Sequence, residues 1–203
     1  MWKCVWLVLL ASVPSARAAE LTYAVDSGSS QVRVHVGKAG IVSFAGHEHA
    51  VVAPISSGTI VADSEDPTRS RVELAFETTA LKVSAEGESA GDAPKVQEAM
   101  VGPKVLDAAQ FPMVTFRSTR VVVRQSTAGA YELEVAGELS LHGITRTLVV
   151  PVRVEAGEGR LVATGRIQLG QRDYGIHAVG VGNLVKVKNE LEIEFRIAAQ
   201  STP

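Results

Sequence analysis

Val185-Lys186-Val187-Lys188-Asn189-Glu190-Leu191-Glu192-Ile193-Glu194-Phe195-Arg196-Ile197 is the stretch that decides the fold. Apart from Asn189, every odd position is apolar and every even position is charged. Only an extended strand sends successive side chains to opposite faces, so this segment has one apolar face and one solvated face. The alternation recurs upstream and is interrupted at Leu139-Ser140-Leu141-His142-Gly143-Ile144-Thr145. Strands of this kind must cover their apolar faces, and the way they do so bounds what the protein can do.

Outward from that stretch, strand patterns fill the chain: Leu21–Asp26, Ser30–Val36, Ile41–Phe44, Ser57–Ala62, Arg71–Glu77, Val114–Arg124, Tyr131–Leu141, Thr147–Glu155, Arg160–Leu169 and Val185–Ala198. Turn chemistry separates them. Asp26-Ser27-Gly28-Ser29, Ser126-Thr127-Ala128-Gly129 and Ala156-Gly157-Glu158-Gly159 each favour a tight reversal. The second half therefore reads as an antiparallel meander with short hairpins. Gln200–Pro203 reads as a frayed tail.

One segment departs from this pattern. Between Asp92 and Gln110, Val96, Met100, Val105 and Leu106 fall at roughly helical spacing. Asp92 is placed to cap a helix, with Pro94 in the first turn, where its missing N–H costs nothing. Gly102-Pro103 should split the segment into two short helices. Phe111-Pro112 returns the chain to a strand, and Glu86–Ala93 reads as a polar loop.

Strands such as Tyr131–Leu141 would each span more than about 30 Å. Long continuous strands with hairpin joints favour closure into an up-and-down barrel, which also removes exposed edges. The predicted fold is all-β: an extended eight-stranded antiparallel barrel with a short helical insertion.

Met1 to Ala18 reads as a secretory signal peptide, with Lys3 at its start, an apolar Val5–Val13 and small residues at Ala16 and Ala18. Residues 19–203 then form one domain. Removing Lys3 and Arg17 from 20 basic residues leaves 18 against 22 acidic ones, a net of −4. That balance argues against nucleic-acid binding. Cys4 is the only cysteine, so the processed chain has neither a disulfide nor a reactive thiol. No Gly-x-Ser-x-Gly elbow, phosphate loop or His-Glu-x-x-His helix is present, so no catalytic residues are expected.

The predicted inward face comprises Val72, Leu74, Phe76, Val114, Phe116, Leu133, Val135, Leu139, Leu141, Leu148, Val150, Val152, Val154, Leu161, Ala163, Ile167, Leu169, Val185, Val187, Leu191, Ile193, Phe195 and Ile197. It is mostly aliphatic, and aromatic residues make up only 5% of the chain. An eight-stranded barrel is either filled by its own side chains or holds one small ligand. Composition leaves both readings open, although small wall residues leave volume unfilled.

Four motifs in order then become informative: Tyr23-Ala24-Val25-Asp26 with Ser29-Ser30-Gln31-Val32; Phe111-Pro112-Met113-Val114-Thr115-Phe116; Gly137-Glu138-Leu139-Ser140-Leu141-His142-Gly143-Ile144-Thr145-Arg146; and Arg172-Asp173-Tyr174-Gly175-Ile176. Together they resemble the YceI-like family of secreted bacterial proteins over nearly the whole processed chain. The resemblance implies a lipocalin-like barrel with a helical insertion near one mouth, acting as a lid. It implies a long isoprenoid-type lipid in the lumen, such as a quinone tail or a prenyl phosphate. Phe76, Val114, Phe116, Leu139, Leu141, Leu148, Val150, Ile167, Leu169, Leu191, Ile193 and Phe195 would hold the tail. His142, Arg172 and Tyr174 are the candidates for a headgroup or the rim. A periplasmic or secreted location, transient membrane contact and a monomer or homodimer complete the expectation, with no cofactor.

Gly46-His47-Glu48-His49-Ala50 departs from the common family pattern. On a strand His47 and His49 would share a face, so an alternative reading is a metal-binding or metal-dependent protein, with a third ligand from His35, His142 or His177. For His142 itself, a hydrogen bond to turn backbone, with Gly143 at positive φ, is the competing role. Arg153, Arg166, Lys186 and Lys188 read as solvated outer-face charges.

Overall fold

The computed structural model describes residues 20–39, 49–84, 93–177 and 186–202. Its elements are β1 (Glu20–Val25), β2 (Gln31–Ala39), β3 (His49–Val52), β4 (Ser57–Asp63), β5 (Arg71–Glu77), β6 (Lys82–Val83), α1 (Ala93–Val101), β7 (Met113–Thr127), β8 (Ala130–Leu141), β9 (Ile144–Gly157), β10 (Arg160–Gly170) and β11 (Lys186–Ser201). The strands form one antiparallel sheet in the order β1-β4-β5-β7-β8-β9-β10-β11-β2-β3-β6, and a further β1–β11 pairing closes it into an eight-stranded barrel.

The strand order becomes simple once broken strands are recognised. β1 and β2 both run antiparallel to β11, β1 along Ala199–Ser201 and β2 along Lys186–Arg196. They are two halves of one wall strand. β4 and β3 pair with those halves, and β5 and β6 pair in turn with β4 and β3. The wall is thus an up-and-down meander in chain order, with its first three strands each broken in two. Asp26–Ser29, expected from sequence to reverse the chain, instead steps it sideways. Asp26 Oδ1 accepts from the Gly28 amide at 3.0 Å and the Ser29 amide at 3.3 Å.

The other predicted reversals form. β7 meets β8 at Thr127–Ala130 and β9 meets β10 at Gly157–Arg160. Glu158 and Gly159 both have positive φ, as two-residue hairpins matching the sheet twist require. Gln200 and Ser201 are not frayed. They pair with Ala24 and Tyr23, and the Thr202 amide donates to the Thr22 carbonyl at 2.8 Å.

The insertion holds one helix, not two. After α1 the Leu106 amide returns to the Met100 carbonyl and the Ala108 amide to the Val101 carbonyl. These bonds wrap the chain round the helix end, and Asp107 at φ 43° prevents a second helix from propagating. The predicted Asp92 cap and the Ile41–Phe44 strand lie outside the described residues.

A seam in the wall lies between β9 and β10. β10 pairs with β11 along its whole length, from Arg160 to Gly170, but with β9 only as far as Gly165–Val152. The next β9 residue is Pro151, which has no N–H to continue the ladder. Beyond it β9 and β10 diverge, and the 3-10 turn Gln171–Tyr174 fills the space. Among the described residues no backbone hydrogen bond joins Ile144–Val150 to that turn. Amides on this edge of β9 should therefore exchange with deuterium faster than those facing β8, which are laddered throughout. Equal protection on both edges would contradict the seam.

Gly165 stands directly opposite Phe195. A Cβ there would lie 2.5 Å from both Phe195 Cζ and the Pro151 carbonyl oxygen. The ring can shift, but the backbone oxygen cannot move as cheaply. Gly165→Val should cost about 2 kcal/mol of unfolding free energy in a urea titration.

Candidate ligand-binding site

The inner face is built from cross-strand neighbours that share one side of the sheet. Leu169 faces Leu191, Ile167 faces Ile193 and Ala163 faces Ile197. Phe76 faces Val114, and Phe116 sits between Leu74 and Leu139. In antiparallel sheets such pairs are the unit of stabilisation. They fix register as well, because a one-residue slip would turn the entire apolar set outward. The outer face carries the charges. Arg153 pairs with Glu132 at 3.0 Å and with Glu155 at 3.3 Å, Arg124 pairs with Glu134 at 2.6 Å, and Arg166 pairs with Glu192 and Glu194. Lys188 is exposed. The Lys186 side chain lies outside what is described.

The apolar faces do not meet. They surround a cavity of about 380 Å³, within the range of small-molecule sites. Among the described residues no large side chain is less than 2% exposed, which is how a hollow barrel differs from a packed core. All twelve residues singled out from sequence border this cavity: Phe76, Val114, Phe116, Leu139, Leu141, Leu148, Val150, Ile167, Leu169, Leu191, Ile193 and Phe195. Two glycines keep it open. The ring of Phe116 lies against Gly137 and that of Phe195 against Gly165, where a Cβ would collide with each. The rings therefore lie flat along the wall.

The two ends differ. Around the 3-10 turn Pro67–Arg69 the lining includes Asp63, Ser64, Ser70 and Arg71. At the other end Met100, Val105 and Leu106 from the insertion cover the lumen, with Gln171 and Ile176 beside them. Sequence reasoning placed the insertion at a mouth but missed Gln171 and Asp63. Neither carries a motif, and each is inward only because of where β10 and β4 end.

His142, Arg172 and Tyr174 do not border the cavity among the described residues. His142 and the Tyr174 backbone clasp the seam, and the Arg172 amide ties the same turn to β11. His142, at φ 51°, forms the β8–β9 turn with Gly143 and packs edge-on against Phe111, ring centroids 4.7 Å apart. Its Nδ1 lies 3.0 Å from the Tyr174 carbonyl, which can only accept, so Nδ1 carries the proton. Arg146 Nε donates to the Asp173 carbonyl at 3.1 Å, and the Arg172 amide donates to Asn189 Oδ1 at 3.0 Å. The Arg172 side chain is exposed, while Tyr174 is only 2% exposed. His47 and the side chain of His49 lie outside the described residues, within which no group of three His, Cys, Asp or Glu side chains could hold a metal. Of the suggested third ligands, His35 Nε2 sits 3.6 Å from Glu194 Oε2, and His177 is exposed.

A family model for the YceI-like domain matches residues 23–199. A UPF0312 protein of Vibrio cholerae is 34% identical over 95 residues, 44% of this chain and 47% of that protein. The chain thus spans about half the length of the curated relatives it matches first. Among solved structures, Burkholderia cenocepacia BcnA superposes with a TM-score of 0.64 at 18% identity, covering 87% of this chain and 99% of that one. A polyisoprenoid-binding domain from Saccharophagus degradans, implicated in plant cell wall breakdown, superposes with a TM-score of 0.63 at 11% identity, covering 90% and 100%. At these identities the likeness establishes the barrel alone.

Burial pushes the Tyr174 phenol above its ordinary value of 10.0; the Asp173 carboxylate adds to the rise and Arg146 opposes it. The folded state therefore holds the proton after the unfolded chain has released it. This contribution to stability is complete below pH 10 and is lost as pH climbs through the folded-state value. Ultraviolet titration should show a late-ionising component that Tyr174→Phe removes.

Proposed function

The chain belongs to the YceI-like domain family, and on that premise we propose that it is a binding protein that sequesters or carries an isoprenoid-type lipid, such as a quinone tail or a prenyl phosphate, in its barrel lumen. One observation carries the reading: the closed wall surrounds an apolar hollow that its own side chains leave unfilled. The Saccharophagus degradans neighbour supports it, being a polyisoprenoid-binding domain of the same architecture. The twelve wall residues would contact the tail. His142 and the Tyr174 backbone hold the seam, and His142, Arg172 and Tyr174 stand off the cavity wall among the described residues. Met1–Ala18 supports export to the periplasm or beyond, with cleavage after Ala18.

The energetics favour a long chain. Each methylene moved from water to the wall contributes about 0.8 kcal/mol. Association and the ordering of a flexible tail cost about 4–15 kcal/mol, so a short hydrocarbon gains little and a polyprenyl tail gains much. Aliphatic walls suit a branched tail that varies in cross-section, because they bind by area and not by direction.

Mass spectrometry of an organic extract of the purified native protein should recover one class of long-chain isoprenoid. Trp2 and Trp6 both lie in the proposed leader, so Ile193→Trp places the processed protein's single tryptophan in the lumen. It should lower the recovered lipid at least severalfold while leaving the circular dichroism of the barrel unchanged. Repeatedly empty extracts from well-folded protein would exclude the reading.

A further inference from the structure

Gln171 is more than nine-tenths buried, at 7% exposure, and its side chain borders the lumen. It opens the 3-10 turn that follows β10. Alongside, the pairing of β11 with β2 jumps between Val187 and Leu191, which leaves the Lys188 carbonyl out of that ladder. Gln171 Nε2 donates to this carbonyl at 2.8 Å. A carbonyl oxygen only accepts, so the bond fixes which end of the amide is nitrogen. Gln171 Oε1 then has no donor among the described residues, and Nε2 retains one further N–H. An amide held at an apolar lumen with both capacities open is matched best by a group that enters the lumen to donate and accept.

The polar end of the lumen near Pro67–Arg69 differs in this respect. Asp63, 3% exposed, accepts at Oδ1 from the Glu65 amide at 3.0 Å and the Asp66 amide at 2.9 Å, and Arg71 lies 3.5 Å from Glu20. Asp63 thus serves the turn, and Arg71 is engaged by a residue of β1. Among the described residues that line the lumen, Gln171 is a buried polar side chain with capacity to spare.

We propose that Gln171 is a specificity-determining residue that selects an isoprenoid ending in a hydroxyl, whether a prenyl alcohol or a prenylated hydroquinone. A hydroxyl donates and accepts, so it meets Oε1 and the spare N–H together. An ether oxygen, an oxidised quinone carbonyl or an ionised phosphate only accepts, and leaves Oε1 unmatched. Sites built around a hydrogen bond reject the analogue that lacks it, because their own polar atom is then stranded. This inference rests on the lumen being a lipid site, and it narrows the ligand within that reading.

Calorimetric binding of two matched pairs to the purified, delipidated protein tests it. One pair is a twenty-carbon prenol and its methyl ether; the other is a prenylated hydroquinone and its dimethyl ether. The free hydroxyl form should bind about tenfold more tightly in at least one pair. The pair that shows the preference identifies the source of the hydroxyl. Gln171→Met should bring the two affinities of that pair together. Should the variant fail to fold, the wild-type ratio alone decides. Equal binding within both pairs would overturn the role of Gln171 and leave the lipid reading standing. If no member of either pair binds, both fail.

Discussion

Tyr23–Ser201, Ala24–Gln200 and Val25–Ala199 join the first wall strand to the last. Without these pairs the β2–β11 ladder would remain, but the strand order would run open from β1 to β6, and unpaired edges of that kind invite pairing with a neighbour. With them, each ring strand has a partner on both sides along part of its length. Closure sets the radius of a ring of eight strands, which side chains can fill or leave hollow. The cavity is therefore a joint consequence of backbone closure and of the side chains on the wall. Small residues and flattened rings preserve it, as at Gly137 with Phe116 and Gly165 with Phe195.

The wall is held in two ways. Over most of its surface a continuous ladder does the work, reinforced outside by Arg–Glu pairs such as Arg124–Glu134. Those pairs are exposed, so each is worth little alone. At the seam above Pro151 the ladder stops, and side chains take over: His142 on the Tyr174 carbonyl and Arg146 on the Asp173 carbonyl, while Gln171 ties the other side of the turn to the Lys188 carbonyl of β11. The same 3-10 turn that closes the gap thereby brings a polar amide to the lumen. Structural repair and a polar amide at the lumen thus come from four consecutive residues.

Much of this was legible in the sequence, for a physical reason. A period of two is a property of the strand itself, so the alternation at Leu191–Ile197 named its inward residues before any partner was known. The twelve residues that the family resemblance singled out all lie on that alternating face, and all border the cavity. What the period cannot carry is the behaviour of strand ends. Asp26–Ser29 has turn composition, yet whether it reverses or sidesteps depends on β11 lying alongside both halves. The second predicted helix fails because Leu106 and Ala108 find acceptors back in α1. Pro151, inside an otherwise regular strand, was the available signal for the seam. Gln171 had no signal, since one glutamine after a strand is ordinary until the β11 bulge supplies its partner.

A barrel that stands by its wall has little need of its contents. Exchanging one aliphatic side chain for another along the lumen reshapes the hollow without removing a backbone bond, so folding and recognition are governed by nearly separate sets of atoms. Such a scaffold can drift from one greasy cargo to another over evolutionary time at small risk to its own integrity, and the rare polar atoms facing inward are where any narrowing of that tolerance has to be written.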